Sequence, residues 1–257
     1  MKERLSVMML AARGTVYKVI LLIAVTGIVQ AGLFYWWMMR SISPDDIWLV
    51  NLESGMTDSH VVFAAAISFV ILCAILSLNG CSFGSKAIYT FRRLSVSQKE
   101  VLCCWAVYNT LAVLLFWMSQ ILIMLGLCGM YKAVAPILCE QSGVPASNLP
   151  FGPQTVYIAF YRHKYLHSLM PMAEISRWIR NVILLGSLGI CTATFSNSVR
   201  KGKKGIAIFV LVTVTLGMFC ASVGMFEVDI VSGLIALGAG VGSGAIALGG
   251  VEDEAYI

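Results

Sequence analysis

His163 and His167 stand four residues apart, and on a helix that spacing puts two imidazoles on one face, as a two-histidine metal site requires. No Asp, Glu or Cys stands where it would complete the ligand set. Arg162 and Lys164 are interleaved with the pair, among Tyr157, Phe160, Tyr161 and Tyr165, so 155–170 also reads as a basic-aromatic helix at a membrane interface or partly re-entrant. The eight cysteines, at 73, 81, 103, 104, 128, 139, 191 and 220, contain no CxxC pair. Most fall inside or beside apolar runs, where Cys behaves as a small apolar residue. A Cys128–Cys139 bridge outside the membrane is the minority reading, and the chain carries no secreted-protein disulfide framework. The chain has no GxxxxGK[ST] phosphate loop, no GxSxG and no HExxH. It is therefore expected not to be an enzyme, and to hold no metal or cofactor of its own.

The elements that would carry these residues are membrane helices. The chain has 257 residues, 59% of them hydrophobic and 12% charged, with mean hydropathy +0.85. A soluble domain carries about a quarter charged residues. Runs of about 20 apolar residues can each cross the hydrocarbon core as a helix. The spacing predicts an all-α integral membrane protein, 1–257 forming one domain of six spans, at about 16–39, 61–78, 101–127, 177–196, 206–226 and 230–250. The run from 101 to 139 is read as one span with an apolar shoulder. Two spans there would put the cluster Arg200, Lys201, Lys203 and Lys204 outside, against the positive-inside rule. Residues 1–14 are expected as an interfacial helix, and 129–176 as a long extracellular segment.

Polar residues at depth are few. Gln30, Asn109 and Gln120 are the notable ones, Arg177 and Arg180 introduce the fourth span, and Glu227 and Asp229 mark a tight outer turn. Carriers coupled to ions or protons place charges at the midplane, so a secondary transporter and a voltage sensor are both disfavoured. Gly238 and Gly242, and Gly240 and Gly244, repeat the small-xxx-small spacing that lets helices approach closely.

The segment 79–100, NGCSFGSKAIYTFRRLSVSQKE, is polar and basic between two apolar runs. Asn79-Gly80 reads as the stop of the second span. Ser97 with Glu100 reads as a capping box opening the third. Ser85 is placed to cap a short helix over 86–94. Ala87, Ile88, Phe91 and Leu94 share one face of it, with Lys86 and Tyr89 between, and Arg92 and Arg93 fall near its C-terminal end. An ordinary positive-inside loop remains open as the other reading.

YTFRRLSVSQKE at 89–100 resembles the segment after the second span of the permease subunits of ATP-binding-cassette exporters of the type-two class. The amphipathic N-terminus and the glycine-rich last span are similar too. Ser95 departs from a common proline and Gln98 from a common basic residue. The resemblance implies a coupling helix within 80–100 seated on a separate ATPase that binds ATP and Mg. It also implies a second permease copy, identical or a paralogue, and a bacterial cell membrane with both termini cytoplasmic. An amphipathic peptide, lipid or drug would be exported, as in Gram-positive exporters of membrane-active peptides. Membrane lipids are expected partners and nucleic acid is not. The alternative is a non-transporting immunity or assembly protein that binds a partner through its extracellular segment.

Overall fold

The computed structural model describes residues 2–42, 51–82, 97–143, 153–172, 174–200, 205–220 and 226–249. Among these residues every regular element is a helix, and the chain is an all-α, multi-pass membrane protein. In chain order the helices are α1 (Lys2–Ser41), α2 (Leu52–Asp58), α3 (Val61–Ser82), α4 (Gln98–Gln141), α5 (Pro153–Arg162), α6 (Lys164–Leu169), α7 (Ile175–Arg200), α8 (Ile206–Cys220) and α9 (Phe226–Gly249). Five are long and apolar enough to cross a membrane: α1, α3, α4, α7 and α9. The fifth expected span, 206–226, is represented by α8, which at 15 residues is about 22 Å long.

Helix directions follow from side-chain contacts along their lengths. Thr15 and Tyr108 join hydroxyls at 2.7 Å, and Gln30 donates to Gln120 at 3.1 Å, so α1 and α4 run parallel side by side. The Val61 carbonyl also accepts from Gln30, which starts α3 at that level and sends it back. Helix α7 runs against α4: Trp178 stacks edge-on to Trp117, and Asn109 donates to Thr192 at 3.0 Å. Helix α9 runs parallel to α7, from Arg180 with Asp229 down to Cys191 with Ser243. Helix α7 packs against α3, α4, α8 and α9 and is the centre of the bundle. Gly189 permits its closest approach, because a Cβ there would lie 2.7 Å from the Thr110 Cα.

The N-terminus, the end of α3 with the start of α4, and the end of α7 with the start of α8 therefore share one end of the bundle. Past its other end α1 and α4 continue. Their 40 and 44 residues make them about 60 and 66 Å long, against a hydrocarbon core of about 30 Å. The overhang is filled by α2, α5 and α6. Phe34 and Trp37 of α1 pack on Gly55 of α2, where a Cβ would lie 2.6 Å from the Trp37 ring.

Several expectations need correction. The run 101–139 is one helix, as read, but it does not stop near Leu127; it passes Pro136 to Gln141, so the start of the 129–176 segment is the end of α4. Cys128 and Cys139 lie on this helix about 16 Å apart along its axis, too far for a bridge, and both are free and buried. Residues 2–14 are helical but run without a break into α1. Asn79 and Gly80 lie inside α3 rather than after it. Glu227 and Asp229 are in the first turn of α9. Ser97 does cap α4, accepting from the Glu100 amide at 3.2 Å. The 155–170 stretch is two helices, α5 and α6, broken at His163.

Candidate functional site

Two buried polar clusters sit at the overhanging end of the bundle. The first is charged. Arg180, 3% exposed, comes from the second turn of α7 and reaches Asp229 on the first turn of α9 at 2.5 Å. Its Nε and Nη2 also donate to the Asn181 side-chain oxygen, at 3.2 and 3.0 Å. Arg177, one turn earlier, pairs with Glu174 and lies 3.7 Å from the second Asp229 oxygen. Asn181 donates to the Ser168 carbonyl of α6 at 2.9 Å, and the Ser168 hydroxyl donates to the Met218 carbonyl of α8. Two cations meet two carboxylates, and the hydrogen bonds tie α7 to α6, α8 and α9. A charged group in an apolar interior is tolerable only when paired and hydrogen-bonded in this way. Its chemistry is that of a clamp.

The second cluster is neutral. Gln120 of α4, 1% exposed, accepts from Gln30 of α1 at 3.1 Å and from the Tyr165 hydroxyl of α6 at 3.5 Å. Burial pushes the Tyr165 phenol up, with nearby Cys220 adding to the shift, so it stays a neutral donor. This cluster is not satisfied: Gln30 Oε1, Gln120 Nε2 and the indole nitrogen of Trp117 have no hydrogen-bond partner among the described residues. Gln120, Trp117 and Tyr165 line a cavity of about 50 Å³ between α3, α4, α6, α7 and α8, its other walls formed by Ala65, Phe116, Leu185 and Phe219 among others. That space exceeds what one water needs, and nearly all of its surface is apolar.

The histidines separate. His163 is buried at the break between α5 and α6, and its Nδ1 accepts from the Leu166 amide, capping α6. Burial pulls its imidazole down to about 4, because the charged form loses water. His167 faces the Tyr161 ring and lies 3.9 Å from Glu174. The pair does not share a site, and among the described residues no three ligating side chains come together for a metal.

Of the glycines, Gly240 and Gly244 face α7: a Cβ on Gly240 would lie 2.9 Å from the Ser187 hydroxyl, and one on Gly244 would lie 3.6 Å from Ile190. Among the described residues nothing lies within 4 Å of a Cβ built on Gly238 or Gly242, so the stripe splits into a packed pair and an open pair. The candidate partner-binding residues Ser85, Lys86, Ala87, Ile88, Tyr89, Phe91, Arg92, Arg93 and Leu94 lie outside the described residues, as do Lys201, Lys203 and Lys204; Arg200 is the last residue of α7. The Arg180–Asp229 pair was missed as a cluster, since each was placed at a span edge. The available signal was one basic and one acidic residue near the same end of two apolar runs, each needing a partner.

Compared with family models, curated proteins and solved structures, the chain matches none.

Proposed function

We propose that the chain is the permease subunit of an ATP-driven exporter of the type-two class, moving an amphipathic or hydrophobic substrate (peptide, lipid or drug) out of the cell. The observation that carries this reading is the convergence of basic segments. The N-terminal part of α1 carries Lys2, Arg4, Arg13 and Lys18. The 79–100 segment carries Lys86, Arg92, Arg93 and Lys99, and the 198–205 turn carries Arg200, Lys201, Lys203 and Lys204. The described helix ends that flank all three lie at one end of the bundle. Of the six other cations, Arg177 and Arg180 are neutralised by Glu174 and Asp229, which makes the asymmetry steeper than a count suggests. The end with the excess faces the cytoplasm under the positive-inside rule, in a bacterial cell membrane.

In this reading α8 is the sixth crossing and the 86–94 helix seats on a separate ATPase that holds ATP and Mg. A second permease copy completes the pathway. The test is purification of the tagged full chain from its own membranes in mild detergent, with mass spectrometry of the chains that come with it. A GxxxxGK[ST] chain is expected in stoichiometric amount, lost on Phe91→Asp while the helical signal is retained. Recovery without any such chain, or retention of it by Phe91→Asp, overturns the reading. Exposed Tyr157, Tyr161 and Arg162 on α5 favour the alternative, partner binding through the outer segment. Function lost on substituting those three, with no ATPase recovered, would select it.

A further inference from the structure

Helix α5 has two unlike faces. Ala159 and Phe160 are buried against the core, while Tyr157, Ile158 and Tyr161 share the opposite stripe and are exposed. Arg162 closes that stripe and Lys164 follows at the start of α6; both are exposed. Among the described residues neither cation has an ion-pair partner. Glu174, which His167 links to this face, already pairs with Arg177.

The depth of this face follows from its neighbours. Helix α6 is fixed where membrane-crossing helices end: Ser168 donates to the Met218 carbonyl near the end of α8, and its own carbonyl accepts from Asn181 near the start of α7. His163 alone separates α5 from α6, so α5 lies at the same boundary. Its outward stripe also adjoins the lipid side of α7. Tyr161 meets the His167 ring edge-on at 5.9 Å, and His167 lies 3.9 Å from Glu174. The next residue, Ile175, begins the exposed apolar stripe of Ile175, Ile179 and Val182. Tyrosines at the rim of the hydrocarbon core sit in the headgroup layer, ring at the boundary and hydroxyl in water. Two unpaired cations at that depth complement a negative headgroup. Because the stripe continues a lipid-facing surface, lipid covers it without a protein partner.

We propose that the outward face of α5, with the start of α6, binds anionic phospholipid headgroups, Arg162 and Lys164 meeting the phosphate while Tyr157, Ile158 and Tyr161 seat in the headgroup layer. The site needs no ATPase partner, so it stands or falls separately from the transport reading. The test reconstitutes the full chain in mixed vesicles of phosphatidylcholine and phosphatidylglycerol, one of the two carrying a photoreactive diazirine beside its phosphate. Adducts are mapped by mass spectrometry after chymotryptic cleavage. Reading only peptides from 153–170 keeps out lipid held at the basic end of the bundle. These peptides are expected to take the phosphatidylglycerol probe at least about fivefold more than the phosphatidylcholine probe, the factor that one cation near an anionic surface contributes. Arg162→Gln with Lys164→Gln should bring the two probes level; should that variant lose its helical signal, Arg162→Glu alone should cut the preference. Adducts from neither probe would leave the face in water, free for a protein partner, and overturn the proposal. Equal labelling in the wild type, or a preference kept by the folded double variant, overturns the anionic site. Loss of the preference in inorganic phosphate but not in chloride of equal ionic strength would make the ligand a free anion and overturn the lipid.

Discussion

The two buried polar clusters lie at the same end of one bundle and are built on opposite terms. Around Arg180 every strong charge has a counter-charge, and Asn181 and Ser168 carry the bonding on to α6 and α8. Around Gln120 the bonding is between neutral groups, and three polar atoms are left without partners among the described residues, two of them on residues that line the cavity. The charged network, in which Arg177 Nε alone lacks a hydrogen bond and is held by ion pairs, holds helices in register. An incomplete network beside a cavity holds helices together less firmly and leaves buried polar atoms unpaired.

The largest effect that would break this contrast is expected at Asp229. Asp229→Asn leaves Arg180 buried without its counter-charge, and stability should fall by about 3 to 5 kcal/mol, read as the thermal midpoint of the detergent-solubilised chain. Arg180→Met with Asp229→Leu should recover most of that loss, while Arg177 keeps Glu174. A double variant no better than the single would show that the two do not act as a pair.

A smaller effect comes from pH at the break that positions Tyr165. The folded His163 is held near 4, below its ordinary 6.5, so between those values the unfolded chain binds the proton and the folded chain does not. Stability is therefore highest above about pH 6.5 and falls toward pH 4, by roughly 3 kcal/mol at 1.36 kcal/mol per unit. His163→Asn keeps a cap acceptor and should flatten that part of the profile, measured by proteolysis of the α5–α6 region. An unchanged profile would assign the acid sensitivity to another group.

The smallest change is expected in the neutral cluster. Gln120→Leu removes an unsatisfied donor but leaves the buried Tyr165 hydroxyl without its acceptor, and should cost about 1 to 3 kcal/mol, less than Asp229→Asn. A loss as large as that of Asp229→Asn would make Gln120 as firm a tie as Asp229, and the contrast would fail.

The helical architecture was legible because apolar run length is a local property. Residues 61–78 and 230–250 read as spans from composition alone, and the structure extends them to Ser82 and back to Phe226. The end of α4 was not legible. Its apolar pattern continues with the same composition from the bundle into the overhang, where the covering surface is protein, and Pro136 does not break it. The clusters were half legible: Gln30 and Gln120 stood out as polar residues at depth, but only folding shows that they meet. Arg180 and Asp229 were misplaced because a charge at the end of an apolar run normally signals water, and here it signals the opposite charge on a helix distant in sequence. Gly189, which had no repeat to mark it, is packed far more tightly than Gly238 and Gly242, which did.

One mechanical property follows from the length of α4. A helix of about 66 Å held near its middle behaves as a lever, so a tilt of about 5° carries its tips apart from their rest positions by about 3 Å each, in opposite directions. The two ends of α4, one at the start of the bundle and one in the overhang, are thus two arms of one rod. Whatever pushes near Lys99 is felt near Gln141.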